Sequence, residues 1–412
     1  MAKKIEKNII TALDIGTSKI IALVGEVGVD GAIEVIGIGR HVSRGLKRGV
    51  VVDIEATVNS IQRAVQEAEL MAGCEVRTVY AGIAGSHIRS LNSHGIVAIR
   101  DKEVSQADIE RVIDAAKAVA IPADQKILHI LPQEFIIDHQ GSIREPVGMA
   151  GVRLESRVHI VTGAVSAAQN IVTCVRRCGL EVNDIILEQL ASSHAVLTED
   201  EKDLGVCLID IGAGTTDIAV FFEGAIQHTA VIPIAGDQVT NDIAMALRTP
   251  TKDAESIKIN HGTAMVELAN ASQMIEVTSA NDRPGRKISS KALAEIVHAR
   301  YEELFSLVSN ELHRSGFEDA VAAGIVLTGG ASNVSGVIEL AELCFEMPVR
   351  KGCAHYVSGL TEVTENPSFS TSVGLLLHGV KQQYDGNFKK QARIANVKGM
   401  WSRMKDWFQV NF

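Results

Sequence analysis

The sequence predicts an α/β fold of two related lobes facing one another across a cleft, with a small inserted subdomain and a C-terminal amphipathic helix. Three observations carry this reading: a glycine turn between apolar runs, its near-copy half a chain earlier, and an aromatic, basic stripe at the C-terminus. A chain of 412 residues is too long for one ordinary core, and 46% hydrophobic with 22% charged residues is the balance of a soluble globular protein.

The organising stretch is 206–221, an apolar run ending at Asp210, then Gly212, Gly214, Thr215, Thr216 and Asp217, then a second apolar run. Valine and isoleucine suit pleated strands, and the glycines let the turn approach a ligand and aim its N–H groups at phosphate oxygens. Thr215 and Thr216 add hydroxyl donors. A carboxylate at Asp210 can sit beside phosphate only with a cation between them, which points to Mg²⁺ and its waters. Such turns also occur in hairpins without ligands. The near-copy at 9–24, with Asp14, Gly16, Thr17, Ser18 and Lys19, favours two related halves holding one phosphate chain between their turns.

Composition excludes several classes. No stretch approaches the ~18 uninterrupted apolar residues of a membrane span. The basic start runs into an apolar segment broken by Asp14 and has no small-residue cleavage site, so no export signal is expected. The six cysteines are scattered as reduced, cytosolic core residues, and the Cys174/Cys178 spacing suits a helix face better than a metal site. A net charge of −10, with four tyrosines and two tryptophans, gives no case for nucleic acid.

In order, residues 1–83 open the first lobe with the first phosphate hairpin, followed by strands at 33–39 and 49–52 around a basic loop. Asp53 caps a helix with Ile54, Val58, Ile61, Val65 and Ala68 at helical spacing, and Gly73 stops it before a strand at 76–83. Residues 84–162 read as an inserted subdomain: a strand at 87–99, a Ser105-capped helix to 119, and a strand at 127–137. His87, His94 and His129 lack ligand spacing and are expected to be solvated or hydrogen-bonded. The first lobe continues over 163–204 with a helix from Ser166, a strand at 182–187 and a helix opened by Glu188 and Gln189. Gln189 is either a water-holding residue beside a γ-phosphate or an ordinary helix-start glutamine.

The second lobe begins with the hairpin of 205–235. A smaller subdomain at 236–318 has helices opening at Gly236 and Thr251 and a long helix capped by Ser289 or Ser290 that carries Lys291 and Arg300. Glu255 and Lys258 share a helix face, as a surface ion pair or as a grip on a ribose. Residues 319–380 hold a strand ending in Gly329, Gly330, Ala331 and Ser332 before a helix, the expected adenosine contact. Residues 381–397 read as a flexible linker. Within 398–412, Met400, Trp401, Met404, Trp407, Phe408 and Phe412 fall in one arc at ~100° per residue, with cations outside it. That describes a helix lying in an anionic membrane surface, with docking on protein as the alternative.

Together with Ala254-Glu255-Ser256-Ile257-Lys258 and Thr371-Ser372-Val373-Gly374-Leu375, the glycine turns resemble the actin/Hsp70/sugar-kinase ATPase superfamily. The segments RGLKRGVVVD at 44–53 and PVGMAGVRLE at 146–155, with the terminal helix, make essentially the whole chain similar to the FtsA family of bacterial cell-division actins. The resemblance implies an actin-like ATPase fold binding ATP and Mg²⁺. Asp14 and Asp210 would order the metal's waters, Glu255 and Lys258 meet the ribose, and Gly329, Gly330 and Ser332 the adenosine. Gln189 matches actin's water-positioning residue, though hydrolysis in the family is often feeble. The resemblance also implies head-to-tail filaments, the FtsZ C-terminal peptide on the helix of Lys291 and Arg300, and later division proteins on the inserted subdomain. It places the chain on the cytoplasmic face of the inner membrane at the division site. Rival members of the superfamily are a small-molecule kinase, which would need a carboxylate base in the cleft, and a pilus-assembly ATPase, which would lack the terminal helix.

Overall fold

The computed structural model describes residues 8–270, 272–278 and 285–384. β1 (Ile9–Ile15) and β2 (Lys19–Val27) are antiparallel arms of the first hairpin, and β3 (Ile33–Val42) pairs with β2. In place of a strand at 49–52 stands a miniature hairpin, β4 (Leu46–Lys47) and β5 (Val50–Val51). Its two-residue turn is tight because Arg48 (φ 50) and Gly49 (φ 75) both take left-handed conformations. Asp53 caps α1 (Ile54–Ala72) by accepting from the Ala56 amide, and Gly73 at φ 64 ends it. The helix can seat on β3 because position 39 is glycine: a Cβ there would lie 1.8 Å from the Ala64 carbonyl oxygen. β6 (Thr78–Ile83) then runs parallel to β1.

The next segment is a separate antiparallel sheet with its own helix. It contains β7 (Arg89–Ala98), α2 (Gln106–Lys117), β8 (Gln125–Ile137), β9 (Gln140–Ile143) and β10 (Arg153–Ala164), in strand order β7-β10-β8-β9. Ser105 and Asp108 form a reciprocal capping box at the start of α2. Val112, Phe135 and Leu154 centre one small core, and Ala116, Val158 and Ile160 a second. Of the three histidines, His94 pairs with Glu155 at 2.8 Å and His129 accepts from the Leu187 amide at 3.0 Å. His87 corrects the expectation of a solvated or bonded ring. Both its nitrogens are buried without a partner among the described residues, and burial lowers its pKa and favours the neutral form.

The chain returns through α3 (Val165–Arg177), β11 (Glu181–Leu187), α4 (Glu188–Val196) and α5 (Glu199–Leu204) to β12 (Val206–Ile211), β13 (Thr216–Phe222) and β14 (Ala225–Ile232). Then come α6 (Gly236–Leu247), α7 (Thr251–His261), β15 (Met274–Val277), β16 (Arg286–Ser289), α8 (Ser290–Ser315), β17 (Ile325–Thr328), α9 (Val337–Phe345), β18 (Val349–Lys351), β19 (Val357–Gly359) and α10 (Thr361–Glu365). A last helix covers 370–384, reaching four residues into the stretch expected to be linker.

The two large sheets have one plan. The first reads β11-β6-β1-β2-β3-β19 and the second β14-β13-β12-β17-β18. In each, a hairpin extended by a third antiparallel strand is joined on the other side by two parallel strands, so β1, β2, β3, β6 and β11 correspond to β12, β13, β14, β17 and β18. The repeat of hairpins in the sequence is thus a repeat of lobes. One core joins the first sheet to the near face of the second, and another fills the space between β12, α6, α8 and α9. The expected linker beyond 384 and the amphipathic helix of Met400, Trp401, Met404, Trp407, Phe408 and Phe412 lie outside the described residues.

Candidate functional site

The two hairpin turns face each other across a cavity of about 400 Å³. Their approach is close enough that a Cβ at Gly214 would sit 2.6 Å from Thr17 Oγ1, and the first turn is itself tight, with a Cβ at Gly16 2.9 Å from the Lys19 carbonyl oxygen. Gly329, at φ 87, brings the third turn against the second: a Cβ there would lie 2.3 Å from Asp210 Oδ1. Side chains are excluded where three backbones converge, which leaves main-chain groups lining the space.

The inner wall is acidic. Strand register places Asp210 opposite Asp217 on β12 and β13, and Asp14, Asp217 and Glu188 line the cavity with Asp210. Asp210 accepts from Ser192 Oγ at 2.6 Å and Thr371 Oγ1 at 3.3 Å, and Asp14 accepts from Ser372 Oγ at 3.3 Å. Burial, then the charge of Asp210, pushes Asp14 up to about 7 against the pull of Lys19 and Ser372. Asp217 is pushed up to about 8 by burial and by Asp210, and its Oδ1 has no hydrogen-bond partner. Burial raises Asp210 as well, opposed by its two hydroxyl donors, and raises Glu188 well above the carboxylate range. Lys19 is the cation facing this group, and its own burial lowers it.

Four carboxylates around one half-buried amine leave a deficit of positive charge that a hard cation relieves. Among the described residues no three His, Cys, Asp or Glu side chains stand close enough to enclose a metal on their own. Mg²⁺ asks for less, since it keeps several waters and shares phosphate oxygens. The donor set fits it.

At the far end of the cavity Lys258 is buried, with Nζ 2.7 Å from Glu255 Oε2, donating to Thr240 Oγ1 at 2.8 Å and to the Gly236 carbonyl at 3.0 Å. This is no surface ion pair, because α7 packs that face against α6. Gly329 and Gly330 line the cavity as expected. Ser332 does not: its hydroxyl turns back to donate to the Gly329 carbonyl at 2.7 Å and braces the turn from behind.

Two more expectations need correction. Gln189 is fully buried and donates to the Ala230 carbonyl at 3.5 Å, while its neighbour Glu188 lines the cavity. Successive helical residues point ~100° apart, and β11 enters α4 in the register that turns 188 to the cleft. Thr216 is fully buried and donates to the Ile234 carbonyl, so Thr215 alone of the two lines the cavity, with its hydroxyl on Asp217. On α8, Arg300 grips Asp242 with two bonds (2.5 and 3.0 Å) and also meets Glu303, beside a shallow hollow lined by Met245 and Ile296. Lys291 is exposed as the second residue of the helix and lies outside that hollow.

A sequence profile described as cell division protein FtsA matches residues 207–374, and one described as an SHS2 domain inserted in FtsA matches 85–162. Over 420 aligned positions the chain is 62% identical to the cell division protein FtsA of Pseudomonas aeruginosa, covering 100% of both chains. The chain belongs to the FtsA family. Identity to the Escherichia coli K12 FtsA is 43%, again over all of both chains. The solved structure of a PilM–PilN type IV pilus biogenesis complex matches this FtsA-family chain with a TM-score of 0.67 at 16% identity, covering 90% of this chain and 98% of the other. MreB5 of Spiroplasma citri bound to ADP matches with a TM-score of 0.54 at 15% identity, covering 93% and 98%. At such identities the likeness is one of fold, the actin-like ATPase architecture that the sequence predicts. No helix among the described residues of this FtsA-family chain is long and apolar enough to cross a membrane.

Proposed function

We propose that this FtsA-family chain binds ATP with Mg²⁺ in the cleft, assembles into filaments, and tethers FtsZ filaments to the cytoplasmic face of the inner membrane during division. The observation that carries the reading is the meeting of two related glycine turns over three buried aspartates, the half-buried Glu188 and one lysine. Mg²⁺ supplies the positive charge that lets a triphosphate lie against those carboxylates. Asp14 and Asp210 hold its waters, and the amides of both turns face the phosphate oxygens. Lys258 and Glu255 take the ribose, and the backbone of Gly329 and Gly330 takes the adenosine. Glu188, rather than Gln189, lines the cleft, and its raised carboxyl would serve as a proton acceptor for a water only once bound Mg²⁺ had restored its charge.

The hollow beside Arg300 supports an acidic-peptide site for the FtsZ C-terminus, with Asp242 as the internal carboxylate that such a peptide would replace, and Lys291 adding charge at the helix start. The inserted subdomain is the surface for later division proteins. Residues 398–412 form the anchor on anionic lipids.

Co-sedimentation with anionic liposomes tests the whole reading. FtsZ should pellet with vesicles only when the intact chain and ATP are present, and a chain ending at Gln391 should leave FtsZ in the supernatant. FtsZ pelleting equally without this chain, or with the shortened one, overturns the tether.

A further inference from the structure

β14 is the edge strand of the second-lobe sheet, so the main-chain groups on one side of it have no neighbouring strand among the described residues. The inserted subdomain covers that side with side chains. Ser90 Oγ donates to the Thr229 carbonyl over 3.0 Å, Asn92 Nδ2 to the Gln227 carbonyl over 3.2 Å, and Gln133 Nε2 to the Ile226 carbonyl over 3.0 Å.

His159 keys the group together. The Asn92 amide nitrogen faces Gln227, so its Oδ1 meets His159 Nδ1, at 2.7 Å, and the ring proton must sit there. His159 Nε2 then accepts from the Thr229 hydroxyl over 3.0 Å. Burial, with His228 nearby, pushes His159 down to about 4, so the imidazole stays neutral and the pattern of donors is fixed. On the same subdomain Arg144 donates to Asp203 Oδ1 at 2.6 Å and to the Glu223 carbonyl at 2.9 Å.

This subdomain is rooted in the first lobe, entered from β6 and left through α3, and it has small cores of its own. It therefore joins one lobe covalently and the other through hydrogen bonds to an edge strand, bridging the cleft that the lobes enclose. Leu128 and Leu131 of β8 and Val231 of β14 are only half-buried against the main core. A neutral hydrogen bond of this kind shifts an equilibrium about fivefold, so a few of them hold the contact without sealing it.

We propose that the contact between the inserted subdomain and β14 is a clasp that must open for the lobes to part, and that it sets how fast bound nucleotide leaves. The inference rests on the nucleotide reading of the cleft.

In the full chain, Asn92→Cys with Gln227→Cys, joined by a short bifunctional thiol reagent, locks the contact, and each single variant controls for the native thiols. A fluorescent ATP analogue is loaded with Mg²⁺ and chased with excess ATP. Locking slows release about tenfold or more, because the open state is withdrawn from the ensemble. Ser90→Ala and Gln133→Ala each quicken release about fivefold. Equal release from locked and unlocked chains overturns the clasp. Hydrogen exchange over 225–232, measured without nucleotide, should rise in Gln133→Ala while the melting temperature holds, and unchanged exchange overturns the clasp as well. If no form binds the analogue while exchange does rise, the clasp stands and the nucleotide reading falls.

Discussion

The phenol of Tyr301 donates to the carbonyl of Ala331 over 2.8 Å, deep in the second-lobe core. That one bond fixes the long helix α8 to the turn holding Gly329 and Gly330. Tyr301→Phe keeps the ring's packing and leaves the Ala331 carbonyl buried without that donor. The Val334 amide still donates to that carbonyl at 3.4 Å, so the variant should lose about 0.5–1.5 kcal/mol of stability. Urea unfolding reads this as a lower midpoint at unchanged slope, and a wild-type midpoint would mean that the carbonyl finds another donor.

Asp217→Asn should separate stability from function. Asp217 Oδ2 accepts from Thr215, while Oδ1 is buried without a partner. An amide removes a poorly solvated charge, so the nucleotide-free protein should gain on the order of 1 kcal/mol at pH 8. The same change weakens the pull on Mg²⁺·ATP. Calorimetric melting and an ATP titration should therefore move in opposite directions, and a parallel shift would refute the cation assignment.

Acidity acts from both sides. Asp14 and Asp217 keep their protons up to about 7 and 8, whereas in the unfolded chain they ionise near the ordinary aspartate value of ~3.9. The folded protein then binds more protons than the unfolded one above pH ~4, so their contribution to stability declines as pH rises to 7–8, by about 1.4 kcal/mol per unit for each group at most. His129 and His159, lowered to about 4, and His194, lowered to about 3, work the other way. They stay neutral when folded, and stability falls as pH drops below the ordinary imidazole value of ~6.5. The nucleotide-free chain should melt highest near pH ~6, and Mg²⁺·ATP should raise the melting temperature more at pH 8 than at pH 5.5. A flat profile with equal rescue at both pH values would contradict this account.

Replacing Trp407 and Phe408 by glutamate should abolish recovery on anionic vesicles while nucleotide binding persists, since each buried aromatic is worth about 1.5–3 kcal/mol. Sedimentation at low and high salt would show it. Undiminished recovery of the double variant would remove the anchor.

Legibility tracked locality. The strand, glycine turn and strand of each hairpin lie within about sixteen adjacent residues, where φ freedom and β-branched runs suffice to place Asp14 and Asp210. The duplication of hairpins then gave the duplication of lobes. What holds Asp210 was not legible, because Ser192 and Thr371 come from 18 and 161 positions away. Glu188 was missed in favour of Gln189 by one residue of helix register, which the strand before it decides. The Lys258 environment was hidden for a similar reason: α7 has ordinary surface composition, and only its packing on α6 brings the lysine inside. The Asn92 and His159 contacts to β14 join residues 135 and 70 positions apart and leave no pattern in the sequence.

The capped edge of β14 has a practical consequence for dissecting the protein. A chain lacking residues 84–162 would lose a candidate partner surface, and it would also bare the Ile226, Gln227 and Thr229 carbonyls of an edge strand. Bare edges recruit strands from other molecules, and the result is aggregation. A division defect in such a deletion would report stickiness as much as lost partnership, so point variants on the subdomain's outer face are the cleaner instrument.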